Sequence, residues 1–325
     1  MSLPVEPDPT PEINLMLLIR RPYQPPEALQ NGCVATIGVF DGVHLGHQRI
    51  LQRVQDEAAA RQVPALMFSF EPTPQEYFGG AAPPARLMKF REKYHALNDL
   101  GVDAFFCPRF EQSLSSLDPE QFAKQLLHGL LGVKHLVIGD DFRYAKNRAG
   151  TVEDLKLAGE RFGFSVEQVG SVVSEGERVS STAIRHHLQH GEMAEAAALL
   201  GRNYFMSGRV VGGQQLGKTL GFPTANLKLN RKLSPISGIF AVRVSGLREG
   251  LLNGVASLGT RPTVNGVEPI LEVHIFDFSR EIYGEHIDVE FVAKLRDEER
   301  FPDLDSMREQ MHVDAAQARE ILAAA

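Results

Sequence analysis

Cysteine, basic charge and long apolar runs are all scarce in this sequence, and each scarcity excludes a class of protein. The 325 residues include two cysteines, Cys33 and Cys107, too few for a disulfide framework and without the spacing of a metal site. Basic residues number 34 against 41 acidic ones, a net charge of −7 that argues against a nucleic-acid surface. No run approaches the ~20 apolar residues of a membrane span. We therefore expect a cytoplasmic protein without nucleic-acid or membrane partners.

The length predicts more than one domain, because 325 residues exceed what a single hydrophobic core usually organises. Residues 1–13 are rich in proline and acid and lack the basic start and apolar centre of a signal peptide, so we expect a disordered tail. The apolar pattern changes further along the chain. We therefore place one domain at residues 14–187 and a second at residues 188–325, and the sequence leaves a homo-oligomer open.

The first part alternates short apolar runs with helical patterns. The runs VATIGVF, PALMFSF, VDAFFCPRF and HLVIG predict strands at residues 34–40, 64–70, 102–110 and 135–139. Helices between apolar strands indicate the α/β class, with a parallel sheet covered on both faces. Ligands of such sheets bind beyond the carboxyl ends of the strands. We therefore expect the functional loops to follow Phe40, Phe70, Phe110 and Gly139.

The second part is dominated by short β-type runs that follow one another without helices. They lie at residues 205–213, 222–229, 238–246, 251–259, 270–278 and 286–296. A helical pattern at residues 191–201 leads into them, and another at residues 304–325 closes the chain. Successive strands of this kind predict an antiparallel barrel or sandwich, here with one C-terminal helix.

The first candidate site is the segment GVFDGVHLGH at residues 38–47, between a predicted strand and a predicted helix. His44 and His47 are three residues apart, so at the start of a helix they share a face. Unpaired N–H groups and the positive end of the helix dipole lie there too, and two imidazoles suit a phosphate that gains charge during displacement. Gly42 and Gly46 would let the backbone approach a nucleotide closely.

Two other interpretations of this segment stay open. Asp41, His44 and His47 could bind a metal ion, although the helical metalloprotease motif spaces its histidines by four with an intervening glutamate. The histidines could also be ordinary loop residues. Their position at the carboxyl end of a strand, beside glycines, favours phosphate chemistry.

Two further segments of the first part carry groups suited to a nucleotide. In SSTAIR, at residues 180–185, a hydroxyl residue precedes a predicted helix, and Arg185 opposes the helix dipole in the first turns. Such an arginine either faces solvent or binds a triphosphate. The loop GDDFRYAKNR, at residues 139–148, brings aromatic and basic side chains to the same sheet edge, as an aromatic ligand that carries phosphate would require.

Residues 212–219, GGQQLGKT, match the P-loop sequence motif of nucleoside triphosphatases. That motif needs a helix directly after Thr219, and Gly221 and Pro223 forbid a regular helix at that position. We therefore reject a P-loop domain. The alternative interpretation, a glycine-rich flap that covers phosphates in an all-β domain, is not excluded by these residues.

Two groups of polar residues in the second part suit phosphoryl transfer. Thr224 and Asn226 alternate with Ala225, so on a strand they face the same side, where their oxygens can hold Mg²⁺ together with phosphate. Glu272 stands among apolar neighbours on another predicted strand and must be paired, neutralised or functional. A base that accepts a hydroxyl proton fits this position. The alternative is an edge-strand glutamate that reaches solvent.

Together these motifs resemble the bacterial bifunctional riboflavin kinase/FMN adenylyltransferase family, often called FAD synthetases. The first part is similar through GVFDGVHLGHQ, GDDFRYAKNRAG and VSSTAIR. The second part is similar through LGRNYFMSGRVVGGQQLGKTLGFPTANL, SPISGIFAVRV, GVASLGTRPTVNG, EVHIFDF, IYGEHIDVEF and LRDEERF. The resemblance covers nearly everything after the tail. It implies a Rossmann-like nucleotidyltransferase domain followed by a six-stranded antiparallel barrel with riboflavin kinase activity.

The resemblance also implies what individual residues do. The catalytic residues would be His44 and His47 in the adenylyltransferase and Glu272 in the kinase. ATP in the adenylyltransferase would bind Gly38, Phe40, Asp41, Gly42, Ser181, Thr182 and Arg185. The flavin in the same domain would bind Asp140, Asp141, Phe142 and Arg143. ATP in the kinase would bind Gly213, Gly217, Lys218, Thr219, Thr224 and Asn226, and the last two of these would also bind Mg²⁺.

The implied reaction has two steps, in which ATP phosphorylates riboflavin to FMN and a second ATP then adenylylates FMN to FAD with release of pyrophosphate. Ala145 stands where the family commonly has glycine, and Lys218 stands where arginine is usual. Two other functions stay open from the residues alone. One is a nucleotidyltransferase for another phosphorylated metabolite, with the barrel as its kinase. The other is a flavin-binding sensor or storage protein.

Overall fold

A computed structural model of the protein describes residues 15–21, 26–79, 83–213, 217, 220–263 and 266–325. The predicted tail at residues 1–13 lies outside the described residues, and so do the predicted ATP-binding residues Lys218 and Thr219. Within the described ranges, no helix is both long and apolar enough to cross a lipid bilayer.

The first part of the chain contains a sheet of six parallel strands. They are β1 (Leu17–Ile19), β2 (Cys33–Ile37), β3 (Ala65–Phe68), β4 (Ala104–Phe106), β5 (Val133–Gly139) and β6 (Ser165–Val169). Every residue of β2, β3 and β4 is buried, as expected for strands covered on both faces. The predicted α/β class and the four predicted strands are confirmed.

Helices lie between these strands. They are α1 (Leu45–Arg61), α2 (Pro74–Tyr77), α3 (Phe90–Asp99), α4 (Gln112–Ser115), α5 (Pro119–Phe122) and α6 (Val152–Phe162). Helix α5 continues as a π-helical stretch, Ala123–Leu130. Asp118 caps α5 by accepting the backbone N–H of Gln121 at 2.7 Å, with proline at the first helical position.

The strand order is β1-β4-β3-β2-β5-β6, which places β2 beside β5 at the centre of the sheet. From β2 the chain runs outward through β3 and β4, and from β5 it runs outward in the opposite direction to β6. The loops that leave these two central strands therefore diverge, and the gap between them is where open parallel sheets bind ligands. The predicted loops at residues 38–47 and 139–148 border this crevice.

A short linking region joins the sheet to the second part. It consists of the hairpin β7 (Val173–Ser174) and β8 (Glu177–Arg178), followed by helices α7 (Ser181–His190) and α8 (Met193–Leu200). The expected boundary at residue 187 falls inside α7. Ile184 and Leu188 of α7 belong to the same apolar cluster as the residues that line the barrel, so the two parts share a hydrophobic core.

The second part is a closed antiparallel barrel of six strands. They are β9 (Tyr204–Val211), β10 (Ala225–Lys228), β11 (Gly238–Leu247), β12 (Gly250–Thr263), β13 (Gly266–Ile275) and β14 (His286–Arg296). Their order around the barrel is β10-β13-β12-β11-β14-β9. The predicted six-stranded barrel is confirmed, and closure leaves no unpaired sheet edge.

Alternation along the strands separates the inside of the barrel from its outer face. Phe240, Leu271 and Val273 are fully buried in the apolar cluster of the interior. The C-terminal helix α9 (Leu304–Ala324) packs on the outer face, where its Ala318 and Leu322 meet Ala241 and Phe276. The predicted C-terminal helix is therefore confirmed, and it covers only part of the outer face.

Candidate active sites

The loop that follows β2 has an unusual backbone. Phe40 and Val43 have positive φ angles of 49° and 42°, a backbone conformation that residues other than glycine rarely adopt. Gly42, which precedes Val43, has φ of 90°. A Cβ on Gly38 would lie 2.9 Å from the Phe40 ring, and one on Gly42 would lie 2.8 Å from Leu87. Strained loops of this kind occur where the surrounding structure fixes a functional backbone.

The two predicted histidines meet at the start of α1. His44 is the N-cap, and its Nδ1 accepts the backbone N–H of His47 at 3.4 Å. The two imidazoles stack with ring centroids 3.6 Å apart, and the opposite face of His47 stacks on Phe40 at 4.3 Å. Nδ1 of His47 is buried and has no hydrogen-bond partner among the described residues. The structure therefore brings His44 and His47 together with Phe40 at the switch point of the sheet.

Burial keeps both histidines uncharged. It lowers the pKa of His44 to about 4, with Asp41 opposing the shift and Arg202 adding to it. Burial likewise lowers the pKa of His47 well below its usual range, and His44 and Lys93 push it in the same direction. Two neutral imidazoles near Lys93 and Arg202 at a helix N-terminus have the donor groups and the positive potential that suit a phosphate.

Asp41 ties this loop to the neighbouring elements. Its carboxylate accepts the backbone N–H groups of Leu87 and Met88 at 3.0 and 2.9 Å, and it forms an ion pair with Arg185 of α7. The Ser181 hydroxyl donates to the carbonyl oxygen of Asp41 at 2.8 Å. The predicted residues Asp41, Ser181 and Arg185 are therefore brought together by direct contacts.

Arg185 is held by the protein on several sides. Besides Asp41, its guanidinium donates to the carbonyl oxygens of Ala85 at 2.7 Å and Ser181 at 3.0 Å. Thr182, next to Ser181 at the start of α7, is exposed. These contacts give Arg185 a definite place beside the histidine loop, and the ATP-binding roles of Thr182 and Arg185 stay predictions.

The loop after β5 borders the other side of the crevice. Asp140 accepts the backbone N–H and the hydroxyl of Ser171, and these hydrogen bonds lower the pKa of its carboxyl group. Asp141 and Arg143 are exposed, whereas Phe142 is half-buried and stacks on Tyr144 with ring centroids 5.9 Å apart. The predicted flavin-binding residues thus combine an anchored carboxylate with exposed polar groups and an aromatic face.

An aromatic cluster at the same sheet edge was missed by the sequence reasoning. Phe110 lies within 5.2 to 5.8 Å of the rings of Phe70, Tyr77 and Phe78, all in edge-on geometry. Tyr77 is 39% exposed and Phe78 is 63% exposed, so two of these rings face solvent beyond β3 and β4. The signal in the sequence was the dipeptide Tyr77–Phe78 soon after a predicted strand end.

The predicted kinase residues meet on the outer face of the barrel. In the antiparallel pairing of β10 with β13, Asn226 lies directly opposite Glu272, and on the other side of β13 Glu272 lies opposite Ser257 of β12. Residues that are directly opposite share a face, with Cβ atoms about 5 Å apart. Their neighbours Leu227 and Leu271 point into the barrel core, so this polar row lies outside.

Two described glycines of the segment at residues 212–219, Gly213 and Gly217, lie beside the same row. A Cβ on Gly213 would lie 2.3 Å from the side-chain nitrogen of Asn226, and one on Gly217 would lie 3.4 Å from the Thr224 hydroxyl oxygen. At Gly217 a Cβ would also lie 2.3 Å from the carbonyl oxygen of Phe222, so the backbone at both glycines comes close to its neighbours, Gly213 to Asn226 and Gly217 to the segment before β10. Residues 220–224 form a turn and an extended segment before β10, so the expectation that no helix follows residue 219 is confirmed.

Other side chains border this row. Nδ1 of His274 lies 2.9 Å from the carbonyl oxygen of Pro223, and Phe222 packs edge-on against His274 and against His312 of α9. Glu272 itself is half-buried. The predicted glutamate, the predicted magnesium ligands and the described glycines Gly213 and Gly217 thus lie together on the outer face of the barrel, and Phe222 links them to the C-terminal helix.

A parallel sheet with a histidine pair at its switch point, joined to a barrel with a carboxylate opposite an amide, defines a two-part enzyme of phosphate transfer. Residues 27–183 match the family described as FAD synthetase, and residues 200–322 match the family described as riboflavin kinase. The chain belongs to the bifunctional riboflavin kinase/FMN adenylyltransferase family, and both enzymatic parts are present.

Relatives of this family match the chain over nearly its whole length. The bifunctional riboflavin kinase/FMN adenylyltransferase of Escherichia coli K12 is 45% identical over 305 residues, which cover 94% of this chain and 97% of that protein. The protein of the same name from Haemophilus influenzae is 43% identical and covers 94% of this chain and 98% of its own. A solved structure described as a macrolide-efflux protein from Streptococcus pneumoniae has a TM-score of 0.79 at 29% identity, covering 92% and 97% of the two chains.

Proposed function

We propose that the barrel converts riboflavin and ATP to FMN and that the parallel sheet converts FMN and a second ATP to FAD and pyrophosphate, with each reaction carried by the residues described above. The observation that carries this proposal is the register of the barrel, which sets Glu272 opposite Asn226, with Gly213 close to the Asn226 side chain. Membership of the bifunctional family supports the pair of substrates. The division into residues 14–187 and 188–325 is part of the proposal.

In the kinase step, Glu272 accepts the proton of the terminal ribityl hydroxyl as that oxygen attacks the γ-phosphorus of ATP. The bond from the γ-phosphorus to the β,γ-bridging oxygen breaks, and ADP leaves. Glu272 is half-buried on the outer face of the barrel, where its carboxylate is accessible to a substrate hydroxyl. Gly213 and Gly217 bring backbone close to Asn226 and Thr224, so the segment can follow the phosphates of the nucleotide.

Thr224 and Asn226 fit a magnesium ion that accompanies ATP. The two residues present a hydroxyl and an amide oxygen next to the glycine-rich segment, and Mg²⁺ uses few protein oxygens together with phosphate oxygens. When bound, the ion neutralises charge on the transferring phosphate. Glu272, opposite Asn226, remains the group that holds the proton.

In the adenylyltransferase step, a phosphate oxygen of FMN attacks the α-phosphorus of ATP, and pyrophosphate leaves. The reacting phosphate needs no covalent enzyme intermediate, so the protein positions the two substrates and stabilises charge. The N-terminus of α1, together with His44 and His47, lies where that charge develops. The loop at residues 139–148 and the exposed rings of Tyr77 and Phe78 border the same edge and suit the flavin.

We also propose a cytoplasmic location. Cys33 of β2 and Cys107, directly after β4, are both free and buried. Burial raises the pKa of Cys33 to about 12 and that of Cys107 to about 11, so neither thiol is reactive at neutral pH. A fold stabilised without disulfides suits a reducing compartment.

The experiment that tests the function is chromatography of flavins after the full chain has been incubated with riboflavin, excess ATP and Mg²⁺. We expect FMN to form first and FAD to follow, with ADP and pyrophosphate as the co-products. A protein that binds riboflavin stoichiometrically and consumes no ATP would instead be a flavin sensor or storage protein. Conversion of a different phosphorylated metabolite with ATP, and none of FMN, would identify another nucleotidyltransferase.

A further inference from the structure

Arg202 reaches back from the start of the barrel into the histidine loop of the parallel sheet. It lies between α8 and β9, yet its guanidinium donates to the carbonyl oxygens of Gly42 at 2.5 Å and Val43 at 3.1 Å. It also donates to the carbonyl oxygen of Leu200 at 3.2 Å. One planar group therefore holds the two peptide units that directly precede the N-cap residue His44.

A second side chain binds two of these three carbonyl groups. Gln48 of α1 donates through Nε2 to the carbonyl oxygens of Val43 and Leu200, both at 2.9 Å. Gly42 and Val43 have positive φ angles, so this backbone needs external support to keep its conformation. Arg202 and Gln48 supply that support from the linking region and from α1.

The charge of Arg202 is not neutralised locally. Among the described residues, its hydrogen-bond partners are carbonyl oxygens and the sulfur of Met88, and none is a carboxylate. Burial lowers the pKa of Arg202 to about 10, so the guanidinium is still charged at neutral pH. A partly buried cation without a carboxylate partner is costly unless a negatively charged ligand uses its charge.

This charge acts on both histidines. The charged groups that face His44 are Asp41, Arg185 and Arg202, and those that face His47 are Lys93 and Arg202. Arg202 is thus the cation common to both rings. The same positive potential disfavours a protonated imidazole and attracts a negatively charged triphosphate at the start of α1, so the residue that keeps the imidazoles neutral also favours the ligand.

We propose that Arg202 is a positioning residue for FMN adenylylation, supplied by the chain segment that enters the kinase barrel. It holds the Gly42–Val43 backbone so that His44 and His47 stay stacked at the start of α1, and it adds uncompensated positive charge beside the phosphate site. This inference rests on the proposed adenylyltransferase function of the sheet. Under this proposal, a residue that stands directly before the barrel contributes to the adenylylation reaction of the parallel sheet.

The test compares Arg202→Gln, Arg202→Lys and Arg248→Gln in the full-length protein. Arg248 is an exposed arginine at the tip of the β11–β12 hairpin, so its variant controls for the loss of one positive charge. Each protein is assayed separately for riboflavin phosphorylation and for adenylylation of supplied FMN, with kcat and KM for ATP measured across pH. The histidine ring protons of each protein are titrated by NMR and assigned through His44→Gln and His47→Gln.

For Arg202→Gln we expect adenylylation kcat/KM to fall roughly 10- to 100-fold, while riboflavin phosphorylation stays within about twofold. Without the cation, the histidines protonate more readily, so the acid limb of the adenylylation profile and the titrations of His44 and His47 should move to higher pH. Arg202→Lys should restore the acid limb but only part of the rate, because an ammonium cannot bind two carbonyl groups in a planar fork. Arg248→Gln should behave like the unaltered protein in both assays.

The proposal is overturned if Arg202→Gln adenylylates FMN as fast as Arg248→Gln does. It is also overturned if both activities fall in proportion while the histidine titrations do not move, since Arg202 would then be a structural staple only. The NMR arm needs no turnover. If the unaltered protein failed to adenylylate FMN, the proposed function would be wrong, and the histidine titrations would still decide whether Arg202 acts on the loop.

Discussion

Arg231, from the loop after β10, forms an ion pair with Glu92 of α3 in which the side chains are 2% and 1% exposed and the closest atoms are 2.5 Å apart. Glu92 also accepts the backbone N–H groups of Ser207 at 2.9 Å and Lys89 at 2.6 Å. Arg231 donates in addition to the carbonyl oxygen of Arg86 at 2.7 Å. The pair therefore connects the barrel to the parallel sheet inside their shared core.

We expect Arg231→Met to destabilise the protein by about 3–5 kcal/mol, because Glu92 would keep its charge in a buried site without its partner. Differential scanning calorimetry should show a clearly lower Tm. The matched control is Arg319→Met, which removes a half-exposed arginine from its pair with Asp277 and should cost less than about 1 kcal/mol. Adding Glu92→Gln to Arg231→Met should recover part of the loss. Equal Tm values for the two single variants would contradict a stabilising role for the buried pair.

Glu272→Gln should lower the rate of riboflavin phosphorylation by about 10² to 10⁴, since the amide keeps the size of the side chain but cannot accept the hydroxyl proton. Adenylylation of supplied FMN should remain within about twofold of the unaltered protein. Glu290→Gln is the control, because Glu290 lies on β14 of the same barrel, opposite Arg243. Loss of both activities in Glu272→Gln would contradict two separate sites.

His47→Ala should have the converse effect. Removing the ring leaves His44 and Phe40 without their stacking partner and takes one imidazole from the start of α1. We expect FAD formation from supplied FMN to fall about 10²- to 10³-fold, as for other groups that stabilise developing charge, with riboflavin phosphorylation intact. The two activities are measured by flavin chromatography with riboflavin or FMN as the starting compound. Near-normal FAD formation would remove His47 from the mechanism.

The sequence predicted the residues of both candidate sites better than it predicted their surroundings. The loop at residues 38–47 could be assigned because two histidines, two glycines and a strand end coincide within ten residues. Arg202 and Lys93 could not be found in this way, since a lone cation in a helix or linker has no spacing that distinguishes it. Their importance follows from burial and from partners that are 159 and 54 residues away in sequence.

The same limit applies to the fold. Strands β2 to β5 are mostly apolar and were predicted, whereas β1 has three residues, two of them exposed, and β6 has none that is fully buried. Strand β1 is apolar but only three residues long, and β6 mixes two valines with Ser165, Glu167 and Gln168, so neither shows the apolar run of a strand covered on both faces. In the second part, alternation predicted that Thr224 and Asn226 share a face, but the pairing of Asn226 with Glu272 depends on the register between strands that are distant in sequence.

The pKa of His44 predicts how stability depends on pH. The folded-state pKa of His44 is about 4, below the usual 6.5. Between about pH 6.5 and about pH 4, the unfolded chain therefore binds a proton at His44 that the folded chain does not bind. The contribution of neutral His44 to the free energy of unfolding is therefore complete above pH 6.5 and is lost as the pH falls toward about 4. For this one group the loss should be about 2 kcal/mol at about pH 5. Urea unfolding at several pH values measures it.

His44→Asn provides the comparison for this pH dependence, because asparagine also accepts a hydrogen bond at an N-cap and has no proton to bind in this range. We expect the stability of the variant to fall less steeply than that of the unaltered protein over the same interval. His47 contributes to the slope in both proteins, so only the difference between them reports His44. Parallel curves would show that His44 is not buried in its neutral form.

The backbone of Ala145 makes the loop after β5 a site of strain. Ala145 has φ of 62° and ψ of −170°, a region essentially restricted to glycine, and a strained residue there costs on the order of 1–3 kcal/mol. Ala145→Gly should therefore raise Tm, even after about 0.5–1 kcal/mol is lost to the greater freedom of glycine in the unfolded chain. Ala149→Gly is the matched control, because Ala149 has φ of −70° and ψ of −29° and should only lose stability. If both variants lowered Tm equally, the strained conformation of Ala145 would not exist in solution, and this alanine would place no restriction on the loop beside Phe142.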